Sequence, residues 1–393
     1  MSRSEITLKL LKDFQCLASE CPDDCCSYDW GISVDLDTLK KWEELEDSNY
    51  REKLLSNVYD GEISGVKQKL VGGVDKKCSF LDKNGLCTIH ADLGEEYLGK
   101  TCRTYPRISK IFKSYSLTSA TMSCPEIARM VFDSKDLRMF EVDGVPDGLE
   151  EHTYRINDFV DKVLNKTGYS IAARVITISR FLYSIADMSN RGELSMPVLT
   201  AMSKKISKPL KEAERDVKSK RLKISDEVAG KFWSIVYKII SKGAVANLDE
   251  RIRSHPIVAK LAASDPSNQD YKELYTSLSA LRNNATPVLA DILDNLGMKY
   301  LAVKFQSRGF PFDPPADNYI AAFLFGILPY CYINLCLWIL FDHEKMIMKQ
   351  DVIDIIYRTE RIVQHTERIY KSIINNKQIL QINEFDACFA DLS

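Results

Sequence analysis

A charge imbalance is the first thing this chain lacks. Its 393 residues carry 53 Lys and Arg against 55 Asp and Glu, a formal charge of −2. No general electrostatic pull toward nucleic acid follows, and none is expected as a partner. Histidine is scarce, with five in the chain and only His90 near the cysteines discussed below, so imidazole has little to offer a metal there. No Cys-x2-Cys knuckle of the zinc-ribbon kind occurs. The Cys-x3-Cys-x2-Cys loop of radical S-adenosylmethionine enzymes is missing too, because after Cys21 and Cys25 its third position is Tyr28. No Gly-x-Gly-x-x-Gly follows a strand, which removes the dinucleotide-fold fingerprint. Met1 is not followed by an apolar signal segment, and no internal repeat is evident.

Cysteine is present, and unevenly placed. Eight of the eleven lie in the blocks Cys16-x4-Cys21-x3-Cys25-Cys26, Cys78-x8-Cys87-x14-Cys102 and Ser123-Cys124-Pro125-Glu126. Thiolates at short spacing suit zinc or an iron–sulfur cluster, since deprotonated sulfur holds both and a short loop can wrap the ion. Disulfides are the first rival reading, weakened by the odd total, the absent signal segment and the chain length, and free buried cysteine, the second, is a poor account of eight in about a hundred residues. Adjacent Cys25 and Cys26 diverge too far to share one tetrahedral zinc easily, so the spacing favours iron–sulfur, with zinc as the alternative. Cys331, Cys336 and Cys388 are isolated and read as free buried thiols.

These blocks carry a resemblance. Phe14-Gln15-Cys16, Cys21 and Cys25-Cys26 with Trp30, then Cys78-Ser79-Phe80-Leu81-Asp82, Gly85-Leu86-Cys87, Leu93-Gly94, Thr101-Cys102-Arg103-Thr104-Tyr105-Pro106-Arg107 and Ser123-Cys124-Pro125-Glu126 are similar to the flagellin lysine-N-methylase family. That family sits in a wider cysteine-rich group, some of whose members are known only as metal-binding proteins. The match is dense over residues 14 to 130, with a faint echo at Asn318-Tyr319 and Gln364-His365. It implies a soluble enzyme that transfers methyl from S-adenosylmethionine to flagellin lysines, and reduced thiols without a targeting segment point to the cytoplasm. It also implies a cysteine-ligated cluster, taken as 4Fe-4S, with all eight cysteines as candidate ligands. Arg103, Arg107, Lys110 and Lys113 would offset thiolate charge. Arg103 and Arg107, inside the matched motif, are the candidates for holding the cofactor's carboxylate; otherwise they form a solvated basic face. The alternative function is a non-catalytic iron–sulfur or zinc protein whose helical body binds a partner.

The fold expected is mainly α: a cysteine-rich metal-binding domain with a few short strands over residues 1–142, then a helical domain over 149–393, with a possible subdivision near 246–315. Asp35 or Asp37 should cap a helix running to about Tyr59, and Gly61 to Gly73 reads as loop or hairpin. Asp82-Lys83-Asn84-Gly85 reads as a tight turn that brings Cys78 and Cys87 together. Tyr115 to Thr121 alternates like a strand. Pro125 then opens a helix, whose positive end should stabilise the charged form of Cys124. Asp143 to Gly148 is the best boundary, and Asp265 to Asn268 and Phe310 to Pro315 are further loops.

In the helical part, Ile171, Val175, Ile178, Leu182 and Ile185 mark one helix face. Val228, Phe232, Ile235, Val236, Ile239 and Ile240 mark another, capped by Ser225 or Asp226. The basic run Lys204 to Lys223 reads as a solvated helix or loop rather than a binding surface. Tyr319 to Phe341 has no charged residue over 23 positions, enough to cross a bilayer. Pro329 inside it argues instead for two buried helices, so no membrane partner is expected. Asp351 to Tyr370 reads as an amphipathic helix carrying His365, a structural rather than a catalytic histidine.

Overall fold

A computed structural model describes residues 4–26, 32–63, 66–74, 77–112, 114–136, 139–144, 149–241, 249–262, 271–306, 310, 319–364, 382–390 and 392. Tyr28, Trp30, Lys113, Asn318, His365, the segments 145–148 and 265–268, and all but Phe310 of the 310–315 loop lie outside them.

The N-terminal third runs β1 (Ser4–Leu8), α1 (Leu36–Glu43), α2 (Ser48–Leu55), β2 (Val58–Ile63), β3 (Val66–Val71), β4 (Gly73–Val74), β5 (Lys77–Cys78), α3 (Thr88–Leu93), α4 (Lys100–Thr104), β6 (Arg107–Ile111), β7 (Tyr115–Ala120), α5 (Pro125–Asp133) and β8 (Phe140–Asp143). Four of the strands form one sheet in the order β6-β7-β1-β8. β1 lies parallel to β7, with Ser4 opposite Tyr115, and antiparallel to β8. The alternation read from the sequence is real in β7, where Tyr115, Leu117 and Ser119 face inward. The glycine-rich stretch is the β2–β3 hairpin.

One expected helix is two. Asp35 caps α1 by accepting the Thr38 N–H at 3.1 Å. Asp47 then caps a second helix by accepting from Asn49 and Tyr50 at 2.9 and 3.0 Å. A side chain that bonds its own downstream amides competes with continued helix, so the chain breaks there. The break turns Trp42 and Leu54 into a small separate core with Val34, Phe80, Ile89 and Leu98. Trp42 is 1% exposed, and its indole N–H donates to the Tyr97 carbonyl at 2.9 Å.

The helical body follows as α6 (Leu149–Leu164), α7 (Ile171–Asn190), α8 (Met196–Ser203), α9 (Ser207–Lys218), α10 (Asp226–Ser241), α11 (Glu250–Arg253), α12 (Pro256–Ala262), α13 (Tyr271–Gln306), α14 (Tyr319–Glu344), α15 (Lys349–Gln364) and a last helix, Ile382–Ala390. Helix thus dominates the described residues, with short strands confined to the N-terminal third. α7 starts where Ser170 accepts the Ala173 N–H. Its burial extends beyond the expected face, every residue from Ile171 to Ser179 being buried. Arg174 completes the corner by donating to the carbonyls of Leu164 and Lys166 at 2.7 and 2.8 Å, which satisfies the end of α6. Ser225 caps α10, its hydroxyl accepting from Val228.

The two buried helices expected around Pro329 are a single helix. α14 runs through the proline, with every residue from Ile320 to Phe341 buried. Proline removes one intrahelical bond, whereas burying an apolar helix on all sides stabilises it at about 25 cal/mol per Å² of apolar surface. The packing term wins. α14 is the one candidate membrane span by length and composition among the described residues, and its whole apolar window is buried inside the molecule. The large core formed around it also takes in Leu8, Phe14, Met122, Ile127 and Val131 from the N-terminal third.

Candidate metal centre

No disulfide joins any of the eleven cysteines. The eight N-terminal ones sit in the loop before residue 27, at the end of β5, at the starts of α3 and α5 and within α4. Cys16 to Cys26 form a loop in which the Cys21 thiol donates to the Asp23 carbonyl at 3.3 Å and the Cys26 N–H donates to the Asp24 carboxylate at 2.9 Å. The Cys25 and Cys26 sulfurs lie 3.8 Å apart. The Cys26 carbonyl accepts the Cys78 N–H at 2.9 Å, which fastens this loop to β5.

The turn after Cys78 forms as its sequence requires. Gly85 has φ +76, the left-handed value that favours glycine, and Leu81 bridges Cys87 across the turn. Cys87 then precedes α3, and Cys102 lies within α4. Asp35 reaches this last helix as well, accepting the Lys100 N–H at 2.7 Å. The same carboxylate therefore caps α1 and holds the start of the helix that presents Cys102.

Burial and the charges of other thiols act on these cysteines together. Cys26 is pushed up by the hydrogen bond with Cys25, by burial, and by the charges of Cys25, Cys102 and Cys78. Cys102 is driven up to about 12, first by burial and then by Cys78, Cys87 and Cys25. It reaches solvent, yet enough protein surrounds it for desolvation to dominate. Cys21 is raised by burial and by Cys16 and Cys25. Cys124 is raised to about 12 by burial, and the charges of Cys21 and Cys16 push the same way. Two adjoining sets result: Cys25, Cys26, Cys78, Cys87 and Cys102 in one, Cys16, Cys21 and Cys124 in the other. Among the described residues, no three Cys, His, Asp or Glu side chains already stand as a finished metal site.

Cys124 stands at the N-cap position of α5, with Pro125 in the first turn, and the Ile127 and Glu126 N–H groups favour its thiolate as expected from the helix start. Burial outweighs them and pushes the thiol up to about 12. Arg103 and Arg107 are both exposed, on α4 and on the edge strand β6. The Arg107 guanidinium lies 5.1 Å above the Phe14 ring. The clearest concavities lie along α8 and α9 and beside Arg251 and Asp351, away from both arginines.

Sequence reasoning missed Arg361. It projects from α15, is 4% exposed, and its guanidinium joins the Cys21 to Cys25 loop to the residue before Cys124. Nε donates to the Ser123 carbonyl at 2.9 Å and Nη2 to the Asp23 carbonyl at 2.8 Å. Nη1 pairs with the Asp23 carboxylate at 2.8 Å. Its partners lie 238 and 338 residues away in the chain, so spacing gave no signal.

Comparison with known proteins identifies the body that surrounds this centre. The family model of the FliB lysine N-methylase C-terminal domain matches residues 157–389, more than half of the chain. The chain belongs to the FliB lysine N-methylase family. Over 131 residues it is 30% identical to the flagellar biosynthetic protein FliU of Salmonella muenchen, a stretch that covers 31% of this chain and 73% of the relative. The lysine-N-methylases of Salmonella typhimurium and Salmonella choleraesuis match at the same identity over 131 residues, 31% of this chain and 31% of each relative. The chain thus aligns with only about a third of the length of those two methylases. No solved structure matches. The FliB family model falls on the helical body, where the sequence offered only faint echoes, and not on the cysteine blocks that carried the resemblance.

Proposed function

We propose that this FliB-family chain transfers a methyl group from S-adenosylmethionine to the ε-amine of lysines on flagellin, with the N-terminal cysteines holding an iron–sulfur centre. The observation that carries the reading is the FliB lysine N-methylase match across residues 157–389, beside eight N-terminal cysteines that form no disulfide. Flagellin as substrate is supported by the flagellar naming of a relative that this chain matches over most of its length. The reaction is placed in the cytoplasm, where thiols stay reduced.

The donor set fits a thiophilic centre in identity and number. Cys78, Cys87 and Cys102 with Cys25 or Cys26 would supply four sulfurs from three separate segments, and Cys16, Cys21 and Cys124 would flank them. Because no three ligands already stand as a finished site among the described residues, binding would draw these segments together and stabilise them. A bound cluster, or zinc in its place, would supply a rigid anionic cross-link. The amine chemistry needs no radical, which agrees with the missing Cys-x3-Cys-x2-Cys loop. An ordinary lysine has a pKa of about 10.4, so the site must strip its proton before transfer and align nitrogen, methyl carbon and sulfur. No step is assigned to Arg103 or Arg107.

The test is incubation of purified, iron-replete protein with methyl-labelled S-adenosylmethionine and flagellin, followed by peptide mapping. Label on lysine is expected. Absence of label with the metal in place would leave the non-catalytic metal-protein reading. A broad visible absorption lost on iron chelation is expected for a cluster, whereas zinc thiolates are colourless.

A further inference from the structure

We propose that Arg361 is the positioning residue of the cysteine centre: a single guanidinium from α15 clamps the Cys21 to Cys25 loop against the start of the Cys124 helix and places a fixed positive charge beside the thiols. The inference deepens the metal reading given above and rests on it for the role of the charge. The clamp itself rests on geometry alone. Two guanidinium nitrogens donate, Nε to the Ser123 carbonyl and Nη2 to the Asp23 carbonyl, while Nη1 lies in ion-pair range of the Asp23 carboxylate at 2.8 Å without a hydrogen bond to it. Ser123 immediately precedes Cys124, and Asp23 lies midway between Cys21 and Cys25. The Asp23 carbonyl also accepts from the Cys21 thiol, so the atom that Arg361 grips is the one that orients that sulfur.

The clamp is rigid on both sides. The Tyr357 ring, one turn earlier on α15, lies 5.1 Å from the Arg361 guanidinium. Ser123 is fixed by hydroxyl contacts with Thr121 at 2.7 Å and Tyr105 at 3.2 Å. The neighbouring residue, Glu360, is fully buried and bonded to Lys304 and Tyr300 of α13. Two consecutive residues therefore tie α15 to the body and to the cysteine loops. A planar fork that donates to two carbonyls on separate segments while facing a carboxylate is a task for arginine and not for lysine, whose ammonium is a single point charge.

The experiment compares the full chain with Arg361→Gln and Arg361→Lys by amide hydrogen exchange, without metal and after reconstitution with iron and sulfide. Losing charge-assisted bonds to two loops should speed exchange over residues 16–26 and 121–125 by about tenfold or more in both variants, while α1, α2 and the β2–β3 hairpin keep their protection. Unchanged exchange over 16–26 would overturn the clamp, as would an equal acceleration throughout the chain, which would mark a merely structural residue. In the reconstituted protein the reduction potential should fall in Arg361→Gln and remain near the parent value in Arg361→Lys. Equal potentials in all three would overturn the charge role. If the unaltered protein takes up no metal, the centre fails as a reading, and the exchange data still decide the clamp.

Discussion

Asp35 concentrates several tasks in a single carboxylate. It accepts the Thr38 N–H and hydroxyl to cap α1, and the Lys100 N–H to hold the helix of Cys102. Burial alone would raise its pKa, but the Lys100 and Thr38 donors outweigh that and hold it below the usual carboxylate range. A depressed folded-state pKa contributes stability that is complete above the unfolded value of about 4 and is lost as pH falls through the folded value. Asp35→Ala should therefore cost about 1 kcal/mol at neutral pH from the lost cap. It should also flatten the acid limb of the stability curve below pH 4, measured by urea unfolding at a series of pH values. Asp35→Asn keeps an acceptor and should cost less at neutral pH, with the same flattened limb. An acid limb unchanged in both variants would contradict this account of Asp35.

At the scale of elements, α13 and α15 are joined by a buried ion pair. Lys304 and Glu360 are 2% and 0% exposed at the side chain and 2.7 Å apart, and the Tyr300 hydroxyl donates to the same carboxylate. Removing one partner strands the other charge in the core, which costs about 3–5 kcal/mol. Lys304→Met should lose that much by urea denaturation, and Lys304→Met with Glu360→Leu should recover a large part of it. A double variant no more stable than the single one would show that the pair is needed for more than mutual neutralisation. Elements of this kind were unequally legible in the sequence. The Asp82 to Gly85 turn, the Asp35 cap and the β7 alternation could be read because each is set by residues a few positions apart. The break at Asp47 was missed because one polar side chain decided between one helix and two. α14 was wrongly divided because Pro329 is a local signal, while the burial that overrides it comes from distant helices. Arg361 was invisible for the same reason, since what it does depends on loops brought to it by the fold.

For the molecule as a whole, the cysteines divide by environment into two populations that should respond differently to the same substitution. Those of the N-terminal third are exposed or half-buried except Cys124, and burial with neighbouring thiols raises Cys102, as the Cys25 hydrogen bond with burial and neighbouring thiols raises Cys26. Cys331, Cys336 and Cys388 are buried in the helical core, far from any shared ligand role. If a metal cross-links the loops, its binding energy is part of the folding energy of that third. Cys102→Ala should then lose metal and soluble yield together, and withholding iron during expression should reproduce the loss in the unaltered chain. Cys331→Ala should keep full metal content at a packing cost on the order of 1 kcal/mol. The readouts are metal per chain and thermal melting of the same preparations. The decisive comparison is the iron-starved parent against Cys102→Ala, because one defect reached by two routes would trace the instability to the missing centre and not to the lost side chain. Full metal content in Cys102→Ala would remove Cys102 from the ligand set, and full metal content in single alanine variants of all eight would remove the centre itself.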